Sequence, residues 1–172
     1  MPSTSLRSRV PVFAFAVAIL AAGAFPATAG SGDEQPAAPV VTSENTPAFT
    51  PPTKAERAVT FAVEAVGVPY RWGGESPSTG FDCSGLVRWA YGRVGIDLPH
   101  NSYALYGEGR RVRETIMEPG DILFFEGFGH VGLYLGRGRM VHAPQTGRNV
   151  EVVRLASTNY GARLIGARRV VA

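Results

Sequence analysis

The sequence predicts an α+β domain in which helices come first and an antiparallel β-sheet follows. Two segments in the first half of the domain have apolar residues at helical spacing, and several segments in the second half have strand-like alternation. The chain has 172 residues. About 120 of them belong to this domain, which is enough for one hydrophobic core but not for two.

The first residues carry the features of a secretory signal peptide. Arg7 and Arg9 precede an apolar run from Val12 to Phe25, and small residues then lead to an A-x-A cleavage site at Ala27 to Ala29. A retained membrane anchor is the alternative, but the run is shorter than the ~20 residues of a spanning helix. We assign residues 1–29 to the signal peptide and expect a secreted protein with no membrane span in the mature chain.

The next segment, residues 30–52, predicts a disordered linker, because it is rich in proline and small polar residues and has few side chains to bury. Its prolines are Pro36, Pro39, Pro47, Pro51 and Pro52. The folded domain then covers residues 53–172.

The charge balance does not favour a polyanionic partner. The chain has 17 basic and 14 acidic side chains, but Arg7 and Arg9 leave with the signal peptide, so the mature chain is close to neutral. Basic clusters at residues 110–113 and 168–169 are interpreted as solvated surface. An exported protein also has little access to nucleic acid, and we expect no nucleic-acid partner.

The first predicted helix begins at a capping box, "TKAE", at Thr53 to Glu56, and should bury Val59, Ala62 and Val66. The predicted strands of the second half include "PGDILFF", "GHVGLYLG", "RMVHAP", "NVEVVRL" and "RLIGARRVV".

The chain's single cysteine lies at the start of the second predicted helix. Asp82 is a plausible N-cap, Cys83 follows in the first turn, and Gly95 supplies the stop. The apolar stripe of this helix continues through Leu86, Val87, Ala90 and Val94. Unpaired backbone N–H groups and the positive dipole end favour a thiolate here, so Cys83 is a candidate nucleophile, the alternative being an inert buried thiol. Gly85 suggests that another backbone or a substrate comes close.

A thiol nucleophile needs a base, and two of the chain's three histidines lie in a predicted hairpin. If residues 136–138 form its loop, Leu135 pairs with Arg139 and Gly132 lies opposite His142. His130 is then diagonal to His142 on one face of the sheet, within reach of its ring. A zinc site formed by the cysteine and these two histidines is the less favoured alternative.

Several motifs taken together resemble one known family. They are "YRWGGESPSTGFDCSGLVRWAY", "LPHNSYALYGEGRRV", "MEPGDILFFEGFGHVGLYLGRGRMVHAPQTG" and "GARRV". They resemble the NlpC-type cell-wall peptidases, a papain-like family of bacterial cysteine endopeptidases, over about Lys54 to Val170. The resemblance implies a papain-like fold with N-terminal helices packed on an antiparallel sheet, and it implies no cofactor.

The resemblance also implies catalytic roles for four residues. Cys83 matches the nucleophile, His130 the general base, and His142 the polar residue that orients the base. Tyr70 matches a tyrosine that helps to stabilise the oxyanion, together with the backbone N–H of Cys83.

Asp82 and Ser84 match positions that line the substrate groove, where a carboxylate can pair with a peptide amine; for Asp82 this role competes with capping. The sequence departs from the family pattern at His100, which replaces an arginine, and at Ala104 with Leu105, where glutamine is expected. We interpret His100 as a surface residue.

The function implied by the resemblance is cleavage of peptidoglycan stem peptides in the cell wall. The implied bond joins D-γ-glutamate to a diamino acid, usually meso-diaminopimelate, and the chain is expected to act as a monomer. An inactive module that only binds the cell wall is the alternative.

Overall fold

The computed structural model describes residues 50–171. The predicted signal peptide and nearly all of the predicted linker lie outside the described residues, and the first described ones, Thr50 to Pro52, are exposed and belong to neither helix nor strand. No helix in this described part is long and apolar enough to cross a membrane.

Helices precede most of the strands, as the sequence predicts. The helices are α1 (Lys54–Glu64), α2 (Cys83–Gly92), α3 (Ser102–Gly107) and α4 (Tyr160–Arg163). The strands are β1 (Glu75–Ser76), β2 (Gly80–Phe81), β3 (Arg110–Val112), β4 (Ile122–Phe125), β5 (Val131–Gly136), β6 (Arg139–His142), β7 (Glu151–Arg154) and β8 (Leu164–Arg169).

The main sheet has six antiparallel strands in the order β3-β8-β4-β5-β6-β7, and β1 and β2 form a separate small hairpin. Strands β4, β5 and β6 are neighbours in both sequence and space, whereas β8 crosses back to lie between β3 and β4. The predicted α+β class with an antiparallel sheet is confirmed.

One face of the sheet packs against α1 and α2 and forms the larger core. Helix α1 contributes alanines and α2 contributes larger aliphatic side chains, which meet inward-facing residues of β4, β5 and β6. The buried residues of this core include Ala58, Ala62, Leu86, Val87, Ala90, Ile122, Phe124, Val131, Leu133 and Val141. This packing places the first turn of α2 against the start of β5.

The opposite face of the sheet is also covered. A second apolar cluster includes Leu123, Phe125, Tyr134 and Met140, packed beneath Leu155 and the segment that follows it. The apolar and polar alternation of "GHVGLYLG" is typical of a half-buried strand, but the first four residues of β5 are buried on both faces, so this interpretation is wrong. The covering segment has no apolar periodicity of its own, so alternation alone did not reveal it.

The predicted capping box of α1 is confirmed, but its predicted buried face is shifted. The Thr53 Oγ1 accepts from the Glu56 N–H at 3.1 Å, and the Glu56 carboxylate accepts from the Thr53 N–H at 2.8 Å. The fully buried positions are Ala58, Ala62 and Ala65, whereas Val59 is half-buried and Val66 is 46% exposed. Val66 lies beyond the end of the helix, and the small alanines allow α1 to approach the sheet closely.

A buried ion pair joins the turn before β4 to Arg169 at the end of β8, so the interpretation of residue 169 as solvated surface is wrong. Asp121 is 1% exposed and accepts from Arg169 Nε at 2.7 Å and from Arg169 Nη2 at 2.8 Å. Its Oδ2 also accepts from the Glu118 N–H at 2.8 Å. A carboxylate so buried needs these donors, because without them its desolvation would be uncompensated.

Asp121→Ala should therefore lower the free energy of unfolding by about 3–5 kcal/mol, since it leaves the guanidinium without its buried partner. Urea denaturation followed by circular dichroism measures the loss. Glu126→Ala is the matched control, because the Glu126 carboxylate is exposed and lies 3.8 Å from Arg163, and it should cost less than about 1 kcal/mol. Equal losses in the two variants would show that the buried pair has no special role.

Candidate active site

The first turn of α2 is fixed by Asp82, as the sequence predicts. Its Oδ1 accepts from the Gly85 N–H at 2.7 Å, which makes it the N-cap, and its Oδ2 accepts from the Gly73 N–H at 2.9 Å. The predicted close approach at Gly85 is also confirmed, because a Cβ there would lie 2.0 Å from the Gly74 carbonyl oxygen. The loop before β1 therefore packs directly on the turn that carries Cys83.

The thiol of Cys83 is half-buried, and its surroundings act on its pKa in opposite directions. Burial raises the pKa of Cys83, and the Asp82 carboxylate raises it further. The backbone N–H groups of Val131, Ser84 and Cys83 itself lower it, but burial outweighs them. The helix N-terminus does act as the sequence predicted, yet the net shift favours a neutral thiol rather than a thiolate.

The two predicted histidines form a direct pair. His130 Nε2 lies 2.8 Å from His142 Nδ1, and the rings meet edge to face. Leu133 pairs with Val141, which is the predicted register, and a Cβ at Gly132 would lie 3.3 Å from the His142 Cβ. The absence of a side chain at Gly132 therefore provides the space beside His142.

The hairpin loop itself differs from the prediction. Gly136 pairs with Arg139, and the register shifts by one residue between Tyr134 and Gly136. The turn therefore consists of Arg137 and Gly138, and an irregularity in β5 restores the predicted pairing further along the strand.

Both imidazoles are held in their neutral forms. Burial, then His142 and then Arg163 lower the pKa of His130. Burial, followed by Arg148, lowers the pKa of His142, whose side chain is fully buried. Each ring then carries one proton, so each can donate through one nitrogen and accept through the other.

Two aromatic side chains that the sequence did not single out surround this pair. The Tyr160 ring stacks on His130 with centroids 5.3 Å apart, and it meets His142 edge to face at 4.9 Å. The Phe125 ring lies 5.8 Å from His130 and 5.0 Å from Tyr160. These rings exclude water from the imidazoles, which is the cause of their lowered pKa values.

Glu151 is a further contact that the sequence analysis missed. It pairs with His142 across β6 and β7, and its Oε1 lies 3.4 Å from His142 Nε2. Its other oxygen accepts from Arg148 Nη2 at 2.6 Å. The β5–β6 register does not determine how β6 pairs with β7 across residues 143–150, so the sequence carries no local signal for this contact.

Most of the predicted site residues converge on one cleft of about 440 Å³. Its lining includes Tyr70, Asp82, Cys83, Ser84, His100 and His130. His142 lies behind His130 and does not reach the cleft surface. The arrangement thus presents a thiol and a neutral imidazole to the same space, with a phenol and a carboxylate nearby.

The interpretation of His100 as a surface residue is wrong. Its side chain is 22% exposed, and its Nε2 lies 2.9 Å from the Asp82 Oδ1, while its Nδ1 lies 3.5 Å from the Glu75 Oε2. The turn before α3 folds back onto the start of α2, a long-range contact that the local sequence does not reveal.

The zinc alternative would need Cys83, His130 and His142 to face one ion. In residues 50–171, no group of three or more histidine, cysteine, aspartate or glutamate side chains is arranged to hold a metal ion. His130 and His142 bond to each other at 2.8 Å, which leaves no room for an ion between those two nitrogens.

Comparison with known families gives a match to the NlpC/P60 family over residues 67–169. The chain belongs to the NlpC/P60 family. The match covers the start of the cleft, α2, the His130–His142 pair and all of β8, so the resemblance noted in the sequence is confirmed.

Curated relatives carry names that describe endopeptidases. A probable endopeptidase of Mycobacterium tuberculosis is 48% identical over 105 residues, which cover 59% of this chain and 27% of the relative. The murein DD-endopeptidase MepH of Escherichia coli is 38% identical over 117 residues, which cover 63% of this chain and 43% of the relative. The chain therefore spans less than half the length of these relatives.

Solved structures of the family share the fold. An NlpC/P60 family protein from Bacillus cereus superposes with a TM-score of 0.66 at 33% identity, covering 70% of this chain and 41% of its own. The peptidoglycan hydrolase RipB from Mycobacterium tuberculosis superposes with a TM-score of 0.61 at 32% identity, and the superposition covers 69% of this chain and 65% of the RipB chain. The predicted papain-like α+β fold is confirmed.

Gly132→Val should separate the two histidines, because even a Cβ at this position would lie 3.0 Å from the Met140 sulfur and 3.3 Å from the His142 Cβ. Burial would still lower the pKa of His130, but the further lowering by His142 would be lost, so this pKa should rise. NMR titration of the imidazole resonances measures this change. Gly107→Val is the control, since a Cβ there meets nothing within 4 Å; an unchanged titration of His130 in Gly132→Val would contradict the role of the glycine.

The raised pKa of Cys83 predicts slow alkylation of the native protein at neutral pH. Iodoacetamide labelling followed by intact mass reports on this one thiol, and the midpoint should lie above that of the same protein unfolded in denaturant, about 8.5. A native midpoint below the unfolded one would instead indicate a thiolate stabilised by a protonated His130.

Proposed function

We propose that this protein is an exported cysteine endopeptidase that cleaves peptidoglycan stem peptides in the cell wall. The observation that carries the proposal is the convergence of Cys83 and His130 on one cleft, with His130 Nε2 already engaged by His142. The remaining nitrogen of His130, Nδ1, is then the one available to the thiol. The endopeptidase names of the relatives support the same reaction class.

In the proposed mechanism, His130 acts as a general base toward a neutral thiol. The Cys83 proton passes to His130 Nδ1 as the sulfur attacks the scissile carbonyl carbon. The tetrahedral intermediate collapses to a thioester, and the new imidazolium returns its proton to the leaving amine. Water, deprotonated by the same nitrogen, then hydrolyses the thioester and regenerates the thiol.

Tyr70 and the backbone N–H of Cys83 are proposed to stabilise the oxyanion. Tyr70 lines the cleft beside Cys83, and burial raises the pKa of its hydroxyl, with the cysteine and Asp82 adding to the effect. The phenol is therefore protonated at neutral pH and can donate to a developing negative charge.

Asp82 and Ser84 are proposed to bind the peptide on the side of the cleft beside α2. Asp82 is already the N-cap, and its Oδ1 also accepts from the Ser84 hydroxyl at 3.1 Å. Capping fixes the carboxylate in place without neutralising it, so a peptide ammonium can still pair with it. Capping and binding therefore need not compete.

The proposed bond joins D-γ-glutamate to the diamino acid, as the family resemblance implies. The names of relatives indicate that the family contains more than one bond preference. One is the murein DD-endopeptidase already described, and another is a bifunctional muramidase and DL-endopeptidase of Bacillus subtilis, 41% identical over 92 residues, which cover 50% of this chain and 28% of the relative.

Mass spectrometry of fragments released from purified peptidoglycan tests the proposal. We expect fragments that end in D-glutamate and fragments that begin at the diamino acid, and we expect none from Cys83→Ala, which removes the nucleophile and should cost little stability. Fragments cut elsewhere would correct the bond. Binding of the wall without release of any fragment would favour a module that only binds it, and unchanged release by Cys83→Ala would overturn the mechanism.

A further inference from the structure

His142 Nε2 has no hydrogen-bond partner among the described residues, although the side chain is fully buried. A buried N–H without a partner is costly, so a nearby acceptor matters. The Glu151 Oε1 lies 3.4 Å away, on the strand residue paired directly with His142. The two groups do not form a hydrogen bond in this arrangement, but the Glu151 carboxylate faces the His142 Nε2 atom.

The pair of neutral imidazoles can form its hydrogen bond in two ways. In one arrangement His130 Nε2–H donates to His142 Nδ1, and His130 Nδ1 is left without a proton. In the other arrangement His142 Nδ1–H donates to His130 Nε2, and the single proton of His130 lies on Nδ1. Only the first arrangement leaves a nitrogen that can accept the Cys83 proton, and the 2.8 Å separation fits both.

We propose that Glu151 is a positioning residue that selects the first arrangement by fixing which nitrogen of His142 carries the proton. An ionised carboxylate only accepts hydrogen bonds, so it favours a proton on His142 Nε2. Neutral His142 then has a bare Nδ1, which accepts from His130 Nε2–H. This inference rests on the proposed role of His130 as the base for Cys83.

The charged groups around Glu151 suit this role. Arg148 Nη2 donates to its Oε2 at 2.6 Å, which fixes the carboxylate in place and leaves Oε1 to face His142. The Tyr160 ring contacts both imidazoles. Burial, His142 and then the positive charge of Arg163 lower the pKa of His130. Burial and Arg148 lower the pKa of His142, so the ring keeps a single proton. The nitrogen of His142 that carries this proton then determines which nitrogen of His130 is left without one.

Glu151 also affects the charged stage of the reaction. When His130 takes the thiol proton it becomes an imidazolium that still donates through Nε2 to His142. The carboxylate lies one imidazole further away, and in a site with little water its negative charge stabilises that cation. The effect belongs to the reaction step rather than to substrate binding.

The tautomers can be measured directly without substrate. Among its 172 residues the chain has three histidines, so long-range ¹H–¹⁵N correlation spectra of the ¹⁵N-labelled full chain distinguish Nδ1–H from Nε2–H for each ring. We expect both His130 and His142 to carry the proton on Nε2 in the wild type. In Glu151→Ala we expect His142 to shift toward the Nδ1–H form and His130 to follow.

Three variants make the comparison specific. Glu151→Gln, whose amide oxygen can still accept, should retain more of the wild-type tautomer than Glu151→Ala. Glu114→Ala removes an exposed acid from the 3₁₀ turn Glu114–Ile116 and should leave both rings unchanged. If the alanine variant proves unstable by circular dichroism, Glu151→Met replaces it, because methionine has a similar length and carries no carboxylate to accept from His142.

Kinetics on peptidoglycan provide the second readout. Glu151→Ala should lower kcat on the order of tenfold or more, because His130 then carries its proton on Nδ1 and cannot accept the thiol proton. KM should change by less than about twofold, because the cleft is intact. Wild-type tautomers in both Glu151 variants, or an unchanged kcat in Glu151→Ala, would overturn the inference. If the tautomers shift as expected but the wild type releases no peptide fragments, the proposed function fails and the role of Glu151 in the histidine pair stands.

Discussion

The position of the candidate nucleophile depends on the carboxylate of Asp82. That one group accepts from the backbone of the α2 first turn, from the loop before β1, and from the Ser84 hydroxyl, and it lies within bonding distance of His100. It therefore connects the loop at Gly73, the first turn of α2 and the turn at His100 at the point where Cys83 begins its helix. Burial raises the pKa of the thiol and this negative charge raises it further, so Asp82 places the cysteine accurately but disfavours the thiolate.

The histidine pair compensates for that loss. A neutral thiol needs a base that is itself neutral, and the aromatic cover formed by Phe125 and Tyr160 keeps water from both imidazoles. Burial thus shifts the thiol and the imidazoles in directions that leave all three uncharged before reaction. In the proposed mechanism, Tyr160 in the segment before β8 therefore helps to keep the base neutral, and it also packs in the second apolar cluster.

Local signals predicted those parts of the fold and site that depend on short stretches of sequence. The cap at Asp82, the close approach at Gly85 and the register that brings His130 to His142 all follow from neighbouring residues and from the spacing of one hairpin. His100 and Tyr160 could not be placed in this way, because their contacts depend on segments that fold back over long distances. The buried face of α1 was misjudged because alanines, not valines, allow the closest packing.

The single cysteine of these 172 residues has a consequence for the chemical durability of the proposed active site. Oxidation of a thiolate to the sulfenic acid is usually contained by a second cysteine that forms a disulfide, and this sequence supplies none. A half-buried thiol that stays protonated reacts slowly with peroxide, because the thiolate is the oxidisable form. In the proposed mechanism, the protonated resting state therefore protects the sulfur between catalytic cycles, and the thiolate forms only as the sulfur attacks a substrate carbonyl.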